Sequence, residues 1–205
     1  MHKNALWLIV LLSYFLSGIA ATAQQVSSPQ TRAKGVEAFP DCKSEALPSK
    51  VRIRLEEEYS SWKIQGVSDL TSHARIKWES RKPLTCPGVA VGRFDGRAQS
   101  YAILLVPVDQ PNSGYRFLLF SRGTGEQNFD IKILEKSDKQ GAGNFFIRKI
   151  QMSAFFSVFF DEQSRKKIRV GAKEGILRVG AGEEYYGADV FFWANSRYQH
   201  EPVDY

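Results

Sequence analysis

Histidine, cysteine and methionine are scarce in this chain: three, two and two residues in 205. The few that exist are not spaced for metal or nucleophile chemistry. There is no Cys-x-x-Cys, no His-Glu-x-x-His helix, no Gly-x-Ser-x-Gly elbow and no phosphate loop opening a helix. Beyond the first residues only His73 and His200 remain, and they stand alone in the sequence. The expectation is therefore no catalytic set, no metal and no cofactor. Long hydrophobic runs are also missing after residue 19. Even Ala154 to Phe160 is strand length, short of the roughly 20 residues a membrane span needs. The net charge is +6 and the pI about 9.3, yet no dense Lys/Arg stripe accompanies it. Such an excess governs solubility and non-specific attraction to anions, so no nucleic-acid partner is expected.

What is present begins with a leader. Lys3 precedes an apolar run from Ala5 to Ile19, and Ala21-Thr22-Ala23 ends it with small residues. These are the three parts of a cleavable signal peptide, so residues 1–23 are read as the leader, with the cut before Gln24. The implied location is secreted or periplasmic. Residues 24–47 are polar, without an apolar period, and read as a flexible tail or linker. Residues 48–205 read as a single β-rich domain. Cys42 and Cys86, an even count in an exported chain, are expected to pair as a disulfide. Closing a loop of about 44 residues is worth about 4 kcal/mol in the chain-entropy model. The rival reading is two free thiols.

The expected fold class is mainly β (α+β): one N-terminal amphipathic helix, then an antiparallel, strongly twisted sheet or sandwich-like domain. The helix is read over Ser49 to Tyr59, where Val51, Leu55 and Tyr59 recur at i, i+4 and i+8. After it come about eight to eleven short strands separated by turn signals. They include Trp62–Ile64, Arg75–Trp78, Gly88–Phe94, Tyr101–Val108, Tyr115–Phe120, Phe129–Leu134, Phe145–Met152, Phe155–Phe160, Lys167–Val170, Ile176–Val179 and Val190–Trp193. Doubled aromatics such as Phe145-Phe146, Phe155-Phe156 and Phe191-Phe192 place neighbours on opposite strand faces. Either both faces are covered or one aromatic face is open for binding.

One segment is more specific. Gly88-Val89-Ala90-Val91-Gly92-Arg93-Phe94-Asp95-Gly96-Arg97 leads through Ser100-Tyr101 into the apolar run Ala102 to Leu105. This strand, tight loop and strand resembles the FG-GAP (or VCBS) repeat, whose loop runs Gly-Asp-Phe-Asp-Gly-Asp-Gly. It is closer still to a group of uncharacterised secreted bacterial proteins with one degenerate copy after a short helix and a Trp, here Trp62. The resemblance implies an exported β-rich domain and carries no activity with it. Aspartates in the repeat's loop chelate Ca²⁺, which takes six to eight oxygens. Here Arg93, Arg97 and Ser100 stand at matching places and only Asp95 keeps the pattern, so no calcium is expected. The loop is expected to persist as a turn, with Asp95 capping backbone amides and Gly92 and Gly96 at positive φ.

The leading expectation is a non-enzymatic binding or accessory domain, its partner an envelope protein or a glycan. Candidate contacts are Arg93, Asp95, Arg97, Tyr101, Tyr185 and Tyr186. A structural envelope subunit is the second reading. A hydrolase using two carboxylates among Asp95, Asp161, Glu183, Glu184 and Asp189 is the third.

Overall fold

Apolar residues run almost unbroken along the central strands, so each sheet needs a cover on both faces. In a computed structural model that describes residues 42, 47–81, 86–122, 128–159, 171–181 and 187–204, that need is met by four layers. The elements run α1 (Ser49–Glu58), β1 (Trp62–Ile64), α2 (Ser72–Ser80), β2 (Val89–Gly92), β3 (Ser100–Pro107), β4 (Tyr115–Arg122) and β5 (Phe129–Ser137). They continue with β6 (Phe145–Gln151), α3 (Met152–Phe159), β7 (Glu174–Gly180), β8 (Gly187–Ala194) and β9 (Arg197–Asp204). All pairings are antiparallel. The first sheet has the order β1-β3-β4-β5, with β2 also paired to β3; the second has β6-β7-β8-β9. All of these belong to one compact unit, Val36–Tyr205. The chain is thus mainly β, as its alternation and turn spacing imply. The leader and its cut site lie outside the described residues, as does nearly all of 24–47.

The layers can be read from which residues bury together. On β3, Ala102, Leu104 and Val106 enter one cluster while Ile103 and Leu105 enter another. The first set meets Phe117 and Leu119 of β4 and, from the second sheet, Ile147, Ile176 and Phe191. This is the inter-sheet core. The second set meets Val51 and Leu55 of α1, which covers the outer face of the first sheet. On the far side, Leu177, Val190 and Phe192 pack against Ala74 and Trp78 of α2 and Met152, Phe155 and Phe156 of α3. Phe191 and Phe192 point to opposite faces, as do Phe145 and Phe146, so these doubled aromatics are core.

Two expected strands are helices. Arg75 to Trp78 belongs to α2, and Phe155 to Phe160 falls largely in α3. The alternation of Ile76 and Trp78 is misleading, since Ile76 is 66% exposed while Ala74 and Trp78, four apart, are buried. In α3, among the residues whose burial is described, Met152, Phe155 and Phe156 are buried, at i, i+3 and i+4, a helical stripe. The expected strand Lys167–Val170 lies outside the described residues. Strand β9 was not foreseen. It follows a two-residue turn, Asn195-Ser196, with φ of 51° and 63°, the geometry of a type I′ hairpin.

Cys42 and Cys86 do not form a disulfide, which corrects the expected pairing. Their side chains meet through a hydrogen bond instead. That bond outweighs burial and holds the Cys86 thiol below its ordinary pKa.

One polar cluster interrupts the inter-sheet core. Arg178 of β7 donates through Nε and Nη2 to Asp189 Oδ2 of β8 at 2.9 and 2.7 Å. Its Nη1 reaches across to Glu135 Oε2 of β5 at 2.7 Å. A register shift opposite Phe117 and Leu118 leaves Leu134 as an extra residue, a bulge, and Leu134 packs into the inter-sheet core beside Glu135. Tyr115 donates its hydroxyl to Glu135, and His200 Nε2 lies 2.8 Å from Asp189 Oδ1. Phe145 and Phe191 lie beneath the guanidinium at 5.0 and 5.6 Å. Burial works to lower the Arg178 pKa, but its two carboxylates more than offset this and raise it. Burial and then Glu135 push the Tyr115 hydroxyl up to about 12. Removing the cation strands two carboxylates in the core. Arg178→Leu is therefore expected to destabilise the fold by about 3 kcal/mol, read as a lowered urea midpoint. An unchanged midpoint would show that the cluster contributes nothing.

Candidate functional site

The 93–99 loop joins β2 to β3 at one end of the two-sheet stack. Its turn is set locally. Asp95 Oδ1 accepts the Arg97 N–H at 3.0 Å, and the Gly96 N–H donates to the Arg93 carbonyl at 3.0 Å. Asp95 thus caps backbone amides, as expected of it. Gly96 has φ +78°, and a Cβ there would lie 2.4 Å from the Gly171 carbonyl oxygen, so both conformation and space require glycine. Gly92 is different: its φ is not positive, correcting the expectation. A Cβ there would strike the Phe94 ring at 2.6 Å, so the demand is for space alone.

Beside this loop opens a cleft of about 730 Å³. Its walls come from β2 and the loop (Val91, Gly92, Arg93, Gly96, Gln99), from β6 (Lys149, Gln151), and from the chain entering β7 (Gly171, Lys173, Glu174). Glu174 organises it. One carboxylate oxygen accepts the Arg93 N–H at 2.6 Å, and the other faces Lys149 Nζ at 3.1 Å and Gln151 Nε2 at 3.5 Å. Burial works to raise the Glu174 pKa, but the Arg93 N–H and then Lys149 outweigh it and hold the carboxyl below its usual range. The Arg93 guanidinium and the Lys173 ammonium have no carboxylate within ion-pair distance among the described residues. Three cations therefore share the cleft with one carboxylate.

The structure divides the sequence-derived candidates. Arg93 lines the cleft. Asp95 and Arg97 are not among its lining residues; their charges act on the Tyr198 hydroxyl of β9. There burial first, and Asp95 second, raise the pKa while Arg97 opposes. Tyr101 is not among the lining residues, although its hydroxyl accepts from Gln99 Nε2 at 2.9 Å. Its ring packs edge-on against Phe129 at 5.8 Å, beside a separate groove of about 230 Å³ that includes Ser49 and Arg122. Tyr185 and Tyr186 lie outside the described residues, as do Asp161, Glu183 and Glu184. Of the five acids considered for hydrolysis, Asp189 is committed to Arg178 and His200, and Asp95 to its own turn. His200 is consequently not isolated, since it stacks on Phe191 at 4.6 Å as well as contacting Asp189.

Sequence reasoning missed Lys149, Lys173 and Glu174. The usable signal was slight: alternation puts Lys149 and Gln151 on one face of β6, and Lys173-Glu174-Gly175 has the composition of a turn. No group of three or more potential metal ligands occurs among the described residues. No helix among them is long and apolar enough to cross a membrane. No family model, curated protein or solved structure matches the chain.

The direction of the Glu174 shift makes a prediction. A carboxyl with a depressed folded pKa contributes stability above its unfolded value, 4.5 for the free group, and that contribution is lost as pH falls through the lower folded value. Thermal midpoints measured downward from pH 5 should drop more steeply in the wild type than in Glu174→Gln. Parallel curves would contradict the assignment.

Proposed function

We propose that this chain is an exported, non-enzymatic binding domain, related to the FG-GAP/VCBS-like secreted proteins, whose partner is an envelope protein or a glycan. The observation that carries this reading is the cleft beside residues 93–99. It is large enough for a small ligand, since such sites run about 300–1,000 Å³. Six hydrogen-bonding side chains line it, and two of its cations have no carboxylate partner among the described residues. Among the described residues of the cleft none forms a nucleophile and its base, and the acid among them, Glu174, already serves Arg93 and Lys149.

The large apolar residues that are exposed favour binding over a structural-subunit role. Ile53, Ile76, Val108 and Ile133 are distributed over α1, α2, the end of β3 and β5. A subunit held by apolar contacts would gather such residues into one patch.

Affinity capture tests the proposal. The purified protein, immobilised and challenged with solubilised envelope and cell-wall fractions, should retain a protein or glycan through a high-salt wash. Screening separates generic charge attraction from a shaped interface. Retention of salt-labile anions alone would sink the reading and direct attention to glycan or ester hydrolysis.

A further inference from the structure

The chemistry of the cleft narrows what it takes. We infer that its ligand is an acidic saccharide, one that presents a carboxylate or phosphate beside hydroxyl groups. This rests on the reading of the cleft as the binding site and goes further, because the cleft's lining separates acidic from neutral sugars.

Three observations converge. First, Arg93, Lys149 and Lys173 come from three separate stretches of chain and meet around one cavity. Gathering like charges is unfavourable unless something neutralises them. Glu174 supplies one negative charge, and both its oxygens are already engaged by the Arg93 N–H, Lys149 and Gln151. Second, the Arg93 guanidinium and the Lys173 ammonium retain their donors, and both residues are exposed. A guanidinium offers a planar fork that fits an oxyanion bidentately, and an ammonium adds a mobile point charge. Third, no aromatic ring is among the described residues that line the cleft. A neutral sugar would find no face to stack on, and a single-stranded nucleic acid would find no platform for its bases. Gln99 and Gln151 supply amides whose nitrogens already donate to the Tyr101 hydroxyl at 2.9 Å and to Glu174 Oε1 at 3.5 Å, and whose carbonyl oxygens and second N–H groups suit hydroxyls.

An anion seated between Arg93 and Lys173 would offset part of the positive charge that Glu174 leaves unbalanced. Selectivity for the acidic group would come from the two unpaired cations, and selectivity for a saccharide from the amides around them.

Isothermal titration of the purified protein tests this with four probes: trigalacturonate, a glycerol-phosphate trimer, neutral maltotriose and a short oligothymidylate. At physiological salt one of the first two should bind at least about tenfold more tightly than maltotriose. Which of them does so identifies the oxyanion as carboxylate or phosphate. The double variant Arg93→Ala/Lys173→Ala should lose roughly tenfold or more of that affinity, while Arg97→Ala, outside the cleft, should keep it. Both variants alter exposed side chains, and unchanged thermal midpoints would show that they fold. The inference is overturned if maltotriose binds equally well, if oligothymidylate binds as tightly as the acidic sugars, if no probe binds, or if the double variant is indistinguishable from wild type. A captured envelope partner that survives high salt and ignores the double variant would overturn it too, while leaving the binding-domain proposal standing.

Discussion

Everything in this structure follows from two sheets that are apolar on both faces. A strand such as β3 carries Ala102, Leu104 and Val106 toward one side and Ile103 and Leu105 toward the other, all buried. A sheet of that kind cannot leave either face in water, so it needs two partners. The inner faces satisfy each other, and the helices supply the outer covers: α1 on one sheet, α2 and α3 on the other. Burial of this extent, at about 25 cal/mol per Å² of apolar area, dominates the favourable side of folding. One polar group in the inner layer is Arg178, held between Asp189 and Glu135. Such a cluster adds little net stability over an apolar core of the same shape, yet a misaligned pairing of the sheets would strand its charges. The bulge at Leu134 ties the register of β5 to that arrangement.

The same layering explains where a ligand can go. Both wide faces of each sheet are occupied, which leaves the ends and edges. At one end the β2–β3 turn, the last residues of β6 and the chain entering β7 approach without closing. Gly96 lets the turn lie against Gly171, and Glu174 fastens the turn to the second sheet through the Arg93 N–H. The cleft is thus built by contacts between the sheets, and its cations are displayed on backbone that those contacts hold in place.

How much of this could be read from the sequence depended on the range of the signal. Strands that are apolar runs of strand length bounded by turn signals, such as Tyr101 to Val108, were legible because that signal is local. The segment around Trp78 was misread because Ile76 and Trp78 imitate alternation, while the stripe that matters, Ala74 and Trp78, is only two residues deep. The Phe-rich segment after Gln151 suits either period, and tertiary packing decided it. Strand β9 was hidden by its polar residues and Pro202, both at home in an edge strand. At the site, Arg93 was legible because the loop is a recognisable turn. Lys149 and Lys173 were not, because ordinary surface lysines acquire meaning only when two sheets bring them together. Asp189 and His200 likewise look unremarkable until β8 and β9 pair.

The central claim is that binding occurs in this cleft rather than on an aromatic face. Amide chemical-shift mapping of the isotope-labelled protein titrated with trigalacturonate tests it most directly. The account predicts that the largest shifts fall in residues 92–99, 149–151 and 171–174. Shifts centred on Tyr101 and Phe129, or spread evenly over the surface, would contradict it.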